Sequence, residues 1–443
     1  MEKRLRQMIT KIIALTTMVV MSASIIGCSA KYPKGAPTLS DEQEMFVGAY
    51  CAPDPTEEQY KWAAECGITD MFVGGGDYWG YFPLDTPEYY ELPYIYGEKY
   101  GVDIVMHVPD TSYTVMSEMF EEIKDRENFA GFLVADEPSA KRFDYYARDY
   151  KKYAKDFPNK PYYINLLPIY ADDNQLGKVS YEEHLRLYKE KLLANYDANH
   201  RVLMCDCYPL MNGQQTYEKW LYNLELLRDT ADSVNAKLYL FLQAQGFLGQ
   251  WRQPSLASEL TYQMYVTMAY GVNGFAYYPY KMPESSPENQ KAIIDVEGNK
   301  TYMYELAKSA NDELKKLDGV YMGFDWKGVI NKAGTRNPHG TNLNFSFCKN
   351  TIENYGVLKE VSSRYDCIVG CFENADTYQG YMVVNFNDPL SGKENEVTLS
   401  FAKKIDKAIV YVDGEPEVKD VVGGELTVSV GIGEGVFVVP YNE

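Results

Sequence analysis

Residues 131–138 read Gly-Phe-Leu-Val-Ala-Asp-Glu-Pro, an apolar run that ends in two carboxylates and a proline. An apolar run of this length is typical of a strand that is buried on both faces of a sheet. Pro138 ends that strand and stiffens its tip, because a proline lacks the backbone N–H that a central strand must donate. Asp136 and Glu137 are therefore predicted to lie at the carboxyl end of a buried strand.

The same apolar pattern occurs eight times, and amphipathic stretches with helical period separate the runs. The predicted strands are residues 45–49, 69–73, 104–108, 131–135, 162–166, 202–207, 238–242 and 274–278. Their spacing of roughly 25 to 40 residues is the length of one strand–helix unit. Thr56 and Gln59 have capping-box spacing at the start of the first helix, and Gly67 stands where that helix should end.

Eight alternating units predict an α/β fold, a (β/α)8 TIM barrel over residues 44–318. The alternative is a doubly wound open sheet, which would want a glycine fingerprint after its first strand. Residues 48–51 read Gly-Ala-Tyr-Cys, which is not such a fingerprint. The barrel is therefore the preferred prediction.

After the barrel the helical period stops. Strand-like runs separated by Asn, Asp, Gly and Pro turns follow at residues 380–386, 396–401, 407–412, 426–430 and 435–439. Short strands with turn residues between them are typical of a small antiparallel sandwich. Residues 319–443 are therefore predicted to form a C-terminal all-β sandwich domain.

Residues 1–27 have the layout of a secretory signal peptide, with a basic start and an apolar run at 12–26. They end in Gly27, directly before Cys28, which resembles the lipobox of bacterial lipoproteins, where the thiol is lipidated. A transmembrane anchor is the alternative, but the apolar run is short and is interrupted by Thr and Ser. We expect a chain held at the bacterial cell surface by a membrane lipid anchor on Cys28, with residues 28–43 as a tether.

Composition argues against several classes of function. A formal charge of −20 over 443 residues would repel a phosphate backbone, so no nucleic-acid partner is predicted. The eight cysteines form no Cys-x2-Cys pair and no Cys/His cluster with zinc spacing, so no metal site is predicted. The sequence contains no Gly-x-Ser-x-Gly elbow, Walker loop or His-Glu-x-x-His motif, and no cofactor is predicted.

The candidate site residues are those at the strand ends, because barrel active sites lie at the carboxyl ends of the strands. Besides Asp136 and Glu137 they are Tyr50, Trp79, His107, Asn165, Asp206, Tyr208, Gln243, Gln245 and Tyr278. Carboxylates, amides and rings at one rim have the composition of a sugar site, because rings stack on pyranose faces and polar groups bond the hydroxyls. A carbohydrate is therefore the predicted partner, although for His107 a structural bond within the rim is an equal alternative.

Glu137 is the candidate proton donor for breaking a glycosidic bond. It follows an apolar strand, so desolvation could raise its pKa, as a general acid requires. The alternative is that Asp136 and Glu137 form an acidic turn or the start of a helix. Their place at the end of the fourth of eight strands favours the catalytic interpretation.

Residues 131–138, the eight predicted strands and the β-rich tail together resemble the (β/α)8-barrel glycoside hydrolases, such as β-galactosidases and hexosaminidases. In those families a Glu at the end of strand four is the usual acid/base, and the resemblance implies that role for Glu137. The nucleophile of the large retaining clan is a Glu that ends strand seven. This sequence has Gln243 and Gln245 there and so departs from the ordinary two-Glu pattern.

Two mechanisms remain open for such an enzyme. The adjacent Asp136 and Glu137 resemble the pair of hexosaminidases in which the 2-acetamido group of the sugar attacks; Asp136 would then orient the amide and Tyr208 would hold its oxygen. Alternatively, Asp206 is the nucleophile or the base. A non-catalytic glycan-binding lipoprotein with a decayed barrel is the alternative function, and the retention of both Asp136 and Glu137 argues against it.

Overall fold

The computed structural model describes residues 36–37, 39, 43–74, 87–108, 121, 123–213, 217–283, 291–336, 345–390 and 392–442. Residues Leu39–Asn442 form one compact unit. The predicted signal peptide, with Cys28, and the candidate Trp79 lie outside the described residues. Within those residues no helix is both long enough and apolar enough to cross a membrane.

Eight parallel strands close into a barrel in which each strand pairs with its neighbours in chain order. They are β1 (Phe46–Ala49), β2 (Asp70–Val73), β3 (Asp103–His107), β4 (Phe129–Asp136), β5 (Tyr162–Leu166), β6 (Val202–Cys205), β7 (Lys237–Gln243) and β8 (Gly274–Tyr278). Pairing of β8 with β1, with Gly274 opposite Phe46, completes the closure. The structure thus confirms the barrel and excludes the open sheet.

Helices alternate with these strands. They are α1 (Glu57–Glu65), α2 (Pro87–Tyr100), α3 (Phe143–Asp156), α4 (Tyr181–Lys191), α5 (Trp220–Asp232), α6 (Ala257–Ala269) and α7 (Tyr302–Met322). The Thr56 hydroxyl caps α1 by accepting the backbone N–H of Gln59 at 3.4 Å, and Gly67 follows that helix with a left-handed φ of +82°. The predicted N-cap and the glycine after the helix are therefore present, but the capping box is incomplete, because the Gln59 side chain donates to the Gly298 carbonyl at 2.6 Å and the Thr56 N–H donates to the Asp54 carbonyl at 2.7 Å.

Aromatic side chains fill the barrel interior. Phe46 stacks on Tyr239 with ring centroids 4.5 Å apart, and Phe72 meets Phe46 edge to face at 6.0 Å. These rings belong to one buried cluster with Val105, Leu133 and other strand residues. Because the interior is packed with side chains, the space available to a ligand lies above it, at the strand ends.

The C-terminal region forms two antiparallel sheets, which confirms the predicted sandwich. Its strands are β9 (Phe324–Lys332), β10 (Leu358–Ser363), β11 (Cys367–Asn374), β12 (Gln379–Asn385), β13 (Asn395–Phe401), β14 (Lys407–Val412), β15 (Glu415–Asp420), β16 (Glu425–Val430) and β17 (Gly435–Tyr441). One sheet has the order β15-β14-β17-β12-β11-β9 and the other β10-β13-β16. The change from helix to sheet falls at Gly323, between α7 and β9.

Candidate active site

A cavity of about 750 Å³ opens at the carboxyl ends of the barrel strands. Its polar lining residues are Asp136, Glu137, Asn165, Gln175, Asp206, Gln245 and Gln250. Its rings are Tyr50, Tyr170, Tyr208, Phe241, Phe247, Trp251 and Tyr278. The volume lies within the range of pockets that bind small molecules, and a wall of rings with a few convergent polar groups is the usual make-up of such pockets.

A β-bulge brings the two adjacent carboxylates of β4 to one cavity. Successive strand residues normally face opposite sides of a sheet. The register of β4 against β5 shifts between Leu133 and Ala135, so that Asp136 pairs directly with Asn165. The extra residue reverses the alternation of side chains. Asp136 therefore points to the same side of the strand as Leu133, whose side chain lies in the barrel interior.

Glu137 reaches the same cavity through an unusual backbone conformation. Its φ is +50°, in the left-handed region that residues other than glycine seldom adopt, at a cost of about 1–3 kcal/mol. The Glu137 N–H donates to the Asn165 carbonyl at 2.9 Å and holds the turn in place. Strain of this kind persists where the surrounding structure fixes it, and it clusters at functional sites.

Asn165 joins the carboxylates of two strands. Its Nδ2 donates to Asp136 Oδ1 at 2.8 Å and to Asp206 Oδ1 at 3.0 Å. The second oxygen of Asp136 accepts the hydroxyl of Tyr50 at 2.9 Å. Because the same nitrogen bonds both carboxylates, the separation between Asp136 Oδ1 and Asp206 Oδ1 cannot exceed the sum of these two hydrogen-bond distances.

Burial and neighbouring charges raise the pKa of Glu137 and of Asp206. Burial, followed by the charge of Asp136, raises the pKa of Glu137 to about 7. The side chain of Glu137 meets the water of the cavity, but protein atoms surround the cavity on most sides and still desolvate the charge. Burial, then the charges of Glu137 and Asp136, raises the pKa of Asp206, and the Asn165 hydrogen bond opposes that rise.

The hydrogen bonds to Glu137 and Asp206 differ. Asn165 donates to Asp206 and so stabilises its anion. Among the residues that the structure describes, none donates a hydrogen bond to the Glu137 carboxyl. The hydrogen bond from Asn165 thus favours the anion of Asp206, and a proton on Glu137 displaces no donor among the described residues.

Paired rings line the walls of the cavity. Tyr208 stacks against Tyr278 with centroids 5.7 Å apart, and Phe247 stacks against Trp251 at 4.7 Å. The indole N–H of Trp251 donates to the Tyr208 carbonyl at 3.1 Å, which ties the two pairs together. Flat apolar surfaces of this kind fit the faces of sugar rings.

Most of the predicted site residues meet in this cavity. Tyr50, Asp136, Glu137, Asn165, Asp206, Tyr208, Gln245 and Tyr278 all line it. Asp206 and Tyr208 lie just beyond β6, which ends at Cys205, two residues earlier than predicted.

Two predicted residues do not line the cavity. Gln243 is fully buried, and its amide bonds the backbone of Leu210 and Arg252 because a buried loop must satisfy its polar groups. His107 is also buried; its ring lies against Tyr50 at 5.2 Å, and burial lowers its pKa to about 4. Neither side chain therefore reaches the cavity: Gln243 braces a loop, and His107 packs against Tyr50, which is nearer to the structural alternative than to a substrate contact.

Several rings of the cavity were not predicted from the sequence. Tyr170 follows β5, and Phe247 and Trp251 follow β7, while Phe241 lies within β7 and faces up from the barrel. The signal available in the sequence is the segment Gly-Phe-Leu-Gly-Gln-Trp at residues 246–251, which carries two aromatic residues shortly after a buried strand. Within the described residues no group of acidic, histidine or cysteine side chains could hold a metal ion.

Comparison with known proteins yields similarities of fold. No protein-family model and no curated protein matches the sequence. A glycoside hydrolase family 30 xylanase from Clostridium acetobutylicum is 7% identical, with 91% of this chain and 97% of that chain covered and a TM-score of 0.45. A family 27 β-L-arabinopyranosidase from Geobacillus stearothermophilus is 10% identical, with 90% and 96% covered and a TM-score of 0.44.

Other chemistry occurs among the similar structures. An aldolase, the DAHP synthase of Thermotoga maritima, is 15% identical over 64% of this chain and 72% of its own, with a TM-score of 0.35. One barrel fold hosts many unrelated reactions.

Proposed function

We propose that the protein is a glycoside hydrolase in which Glu137 is the general acid and Asp206 the second catalytic carboxylate. The observation that carries the proposal is the carboxyl cluster of Glu137, Asp206 and Asp136 in a cavity walled by stacked rings. Cleavage of a glycosidic bond needs one protonated and one ionised carboxyl on either side of the scissile bond. The raised pKa of Glu137 favours its protonated form, and the hydrogen bond from Asn165 favours the ionised form of Asp206.

The reaction follows from these two states. Glu137 donates its proton to the glycosidic oxygen as the bond from C1 to that oxygen breaks, while the Asp206 carboxylate attacks C1 and forms a glycosyl ester. Glu137, now ionised, takes a proton from water, and the oxygen of that water attacks C1, which releases Asp206 and the free sugar. Both carboxyls line the same cavity, and their separation distinguishes the mechanisms: about 5–5.5 Å favours this double displacement, whereas about 6.5–9.5 Å favours activation of water by Asp206 with inversion.

A second mechanism on the same site has one observation in its favour. Both oxygens of Asp136 accept hydrogen bonds, from Tyr50 and from Asn165, so its carboxylate is held in a fixed direction. A fixed carboxylate could orient the amide of a 2-acetamido sugar, whose own oxygen would then attack in place of Asp206. Inhibition by a thiazoline analogue, together with the loss of activity in Asp136→Asn but not in Asp206→Asn, would establish this version.

The experiment is a screen of nitrophenyl glycosides and of oligosaccharides, with wild type, Glu137→Gln and Glu58→Gln side by side. Glu58 is an exposed residue of α1 and serves as the matched control. We expect hydrolysis by wild type and by the control, and its loss in Glu137→Gln. Binding of a glycan without turnover by any of the three proteins would instead establish a glycan-binding protein.

We also propose that the protein is a lipoprotein held on the bacterial surface through Cys28. The support is the sequence alone: a basic start, an apolar run and Gly27 directly before Cys28. Cys28→Ser should release the protein from the membrane fraction or leave it unprocessed. An unchanged membrane fraction, together with processing that globomycin does not affect, would contradict the proposal.

A further inference from the structure

The mouth of the cavity carries an exposed apolar side chain. Leu248 lines the cavity and exposes 80% of its surface, the largest exposure among the large hydrophobic residues that the structure describes. Its φ of +51° is left-handed, a conformation that leucine rarely adopts. A single exposed leucine is ordinary, but one that is held in a costly conformation over a cavity calls for a reason.

Residues 247–251, here called the rim loop, hold this side chain in place. The N–H groups of Phe247 and Trp251 each donate to the other residue's carbonyl at 3.1 Å. Asn212, on the loop after β6, donates from its backbone to the Gln250 carbonyl at 2.6 Å and from its amide to the Gly249 carbonyl at 2.8 Å. The rim loop is therefore braced from within and from a neighbouring loop, and its apolar tip has a defined position.

The cavity thus combines two kinds of surface. The ends of β4 and β6 supply the carboxyl groups, whereas the rim loop supplies Phe247, Leu248 and Trp251. Water is a poor partner for Leu248, so an apolar group bound there would gain from burying both surfaces. A ligand that uses the whole cavity is polar at one part and apolar at another.

We propose that the rim loop is a subsite for the apolar aglycone of a glycoside and that Leu248 determines this specificity. The inference rests on the proposed function and names its substrate class: sugars linked to an alkyl or aryl group, in preference to unsubstituted oligosaccharides. The sugar meets Glu137 and Asp206, and the aglycone lies against Leu248 and the ring of Phe247.

The test measures binding to Glu137→Gln, so that it needs no turnover. The probes are the methyl, phenyl and octyl β-glycosides of galactose and of N-acetylglucosamine, below the concentrations at which they form micelles, followed by calorimetry and tryptophan fluorescence. Octyl or phenyl glycosides should bind about tenfold or more tightly than the methyl glycoside of the same sugar. The octyl and phenyl arms distinguish an alkyl from an aryl aglycone.

The variant Leu248→Asn removes the apolar surface but keeps the backbone, because asparagine tolerates a left-handed φ. It should abolish most of the preference for the octyl or phenyl group over the methyl group. Val422→Asn is the matched control, a residue of the sandwich with 76% exposure, and should keep the preference. Equal affinity for methyl, phenyl and octyl glycosides, or a preference that survives Leu248→Asn, would overturn the inference. Loss of hydrolysis is a separate readout, so the proposed function can fail without this test failing.

Discussion

Glu137 is the residue on which the chemistry depends, and its titration has a predictable sign. With a pKa of about 7, the carboxyl is protonated below neutrality and loses its proton above it. A general acid works only when protonated, so kcat/KM should fall as the pH rises through about 7. A rate profile measured from pH 5 to 9 that stays flat across this window would show that another group donates the proton.

Asn165 is predicted to act as a positioning residue for the carboxyl cluster. Asn165→Asp removes the donor to Asp136 and Asp206 and adds a fourth carboxyl group. Both changes raise the pKa of Glu137 further, so the alkaline limb of the kcat/KM profile should move to higher pH. A variant that loses activity with no movement of that limb would indicate a merely structural role.

The negative charge of ionised Glu137 lowers the stability of the folded protein at high pH. The pKa of Glu137 is raised in the folded protein above its ordinary value of 4.5, so the free energy of unfolding falls as the pH rises from that value through about 7. Glu137→Gln carries no charge at any pH. Its Tm should therefore exceed that of wild type at pH 8 and match it at pH 4, and a variant less stable at both pH values would contradict this account.

At the scale of elements, β11 and α6 meet through a glycine. A Cβ on Gly370 would lie 2.7 Å from the Ala269 Cα, against backbone that cannot move aside. Gly370→Ala should destabilise the protein by about 1–3 kcal/mol, as overpacking in a core does. Chemical denaturation measures this, and Gly423→Asn, where the structure leaves open space, should cost little. Equal losses in both variants would show that the contact is not decisive.

The elements that the sequence predicts well are those with strong apolar runs. Tyr162–Leu166 and Gly274–Tyr278 were predicted to the residue, because a strand buried on both faces is nearly continuous in hydrophobicity. Phe324–Lys332 and Glu415–Asp420 fall outside the predicted runs, because charged residues and a proline interrupt them. Their strand conformation comes from pairing with neighbours, which a local pattern does not encode.

The site residues that lie at the ends of apolar strands could likewise be predicted from the sequence. Strand ends located the carboxyl cluster, because a barrel gathers them at one rim. The bulge in β4 and the left-handed φ of Glu137 leave no signature in the alternation of residues. The direction of the Gln243 side chain and the rings of the rim loop depend on loop conformation, and hydrophobic periodicity carries no information about it.

At the scale of the whole molecule, the sandwich covers a face of the barrel. Nearly every residue of α6 is buried, since the helix contacts β7 on one side and β11, β12 and β17 on the other. A chain that stops after Met322 would expose the apolar rings of Tyr262 and Tyr265 to water. We expect the truncated protein to aggregate or to unfold at a much lower temperature, whereas a soluble barrel with an unchanged Tm would show that the sandwich is dispensable.

Proton donation by Glu137 can be separated from its other effects by varying the leaving group. The weakly basic 2,4-dinitrophenolate leaves without being protonated. The methoxide of a methyl glycoside of the same sugar is strongly basic and leaves only when a proton is supplied. Glu137→Gln should therefore lower kcat/KM on the methyl glycoside by about 10²–10⁴ and on the dinitrophenyl glycoside by much less. Equal losses on both substrates, or no loss on the methyl glycoside, would contradict the account.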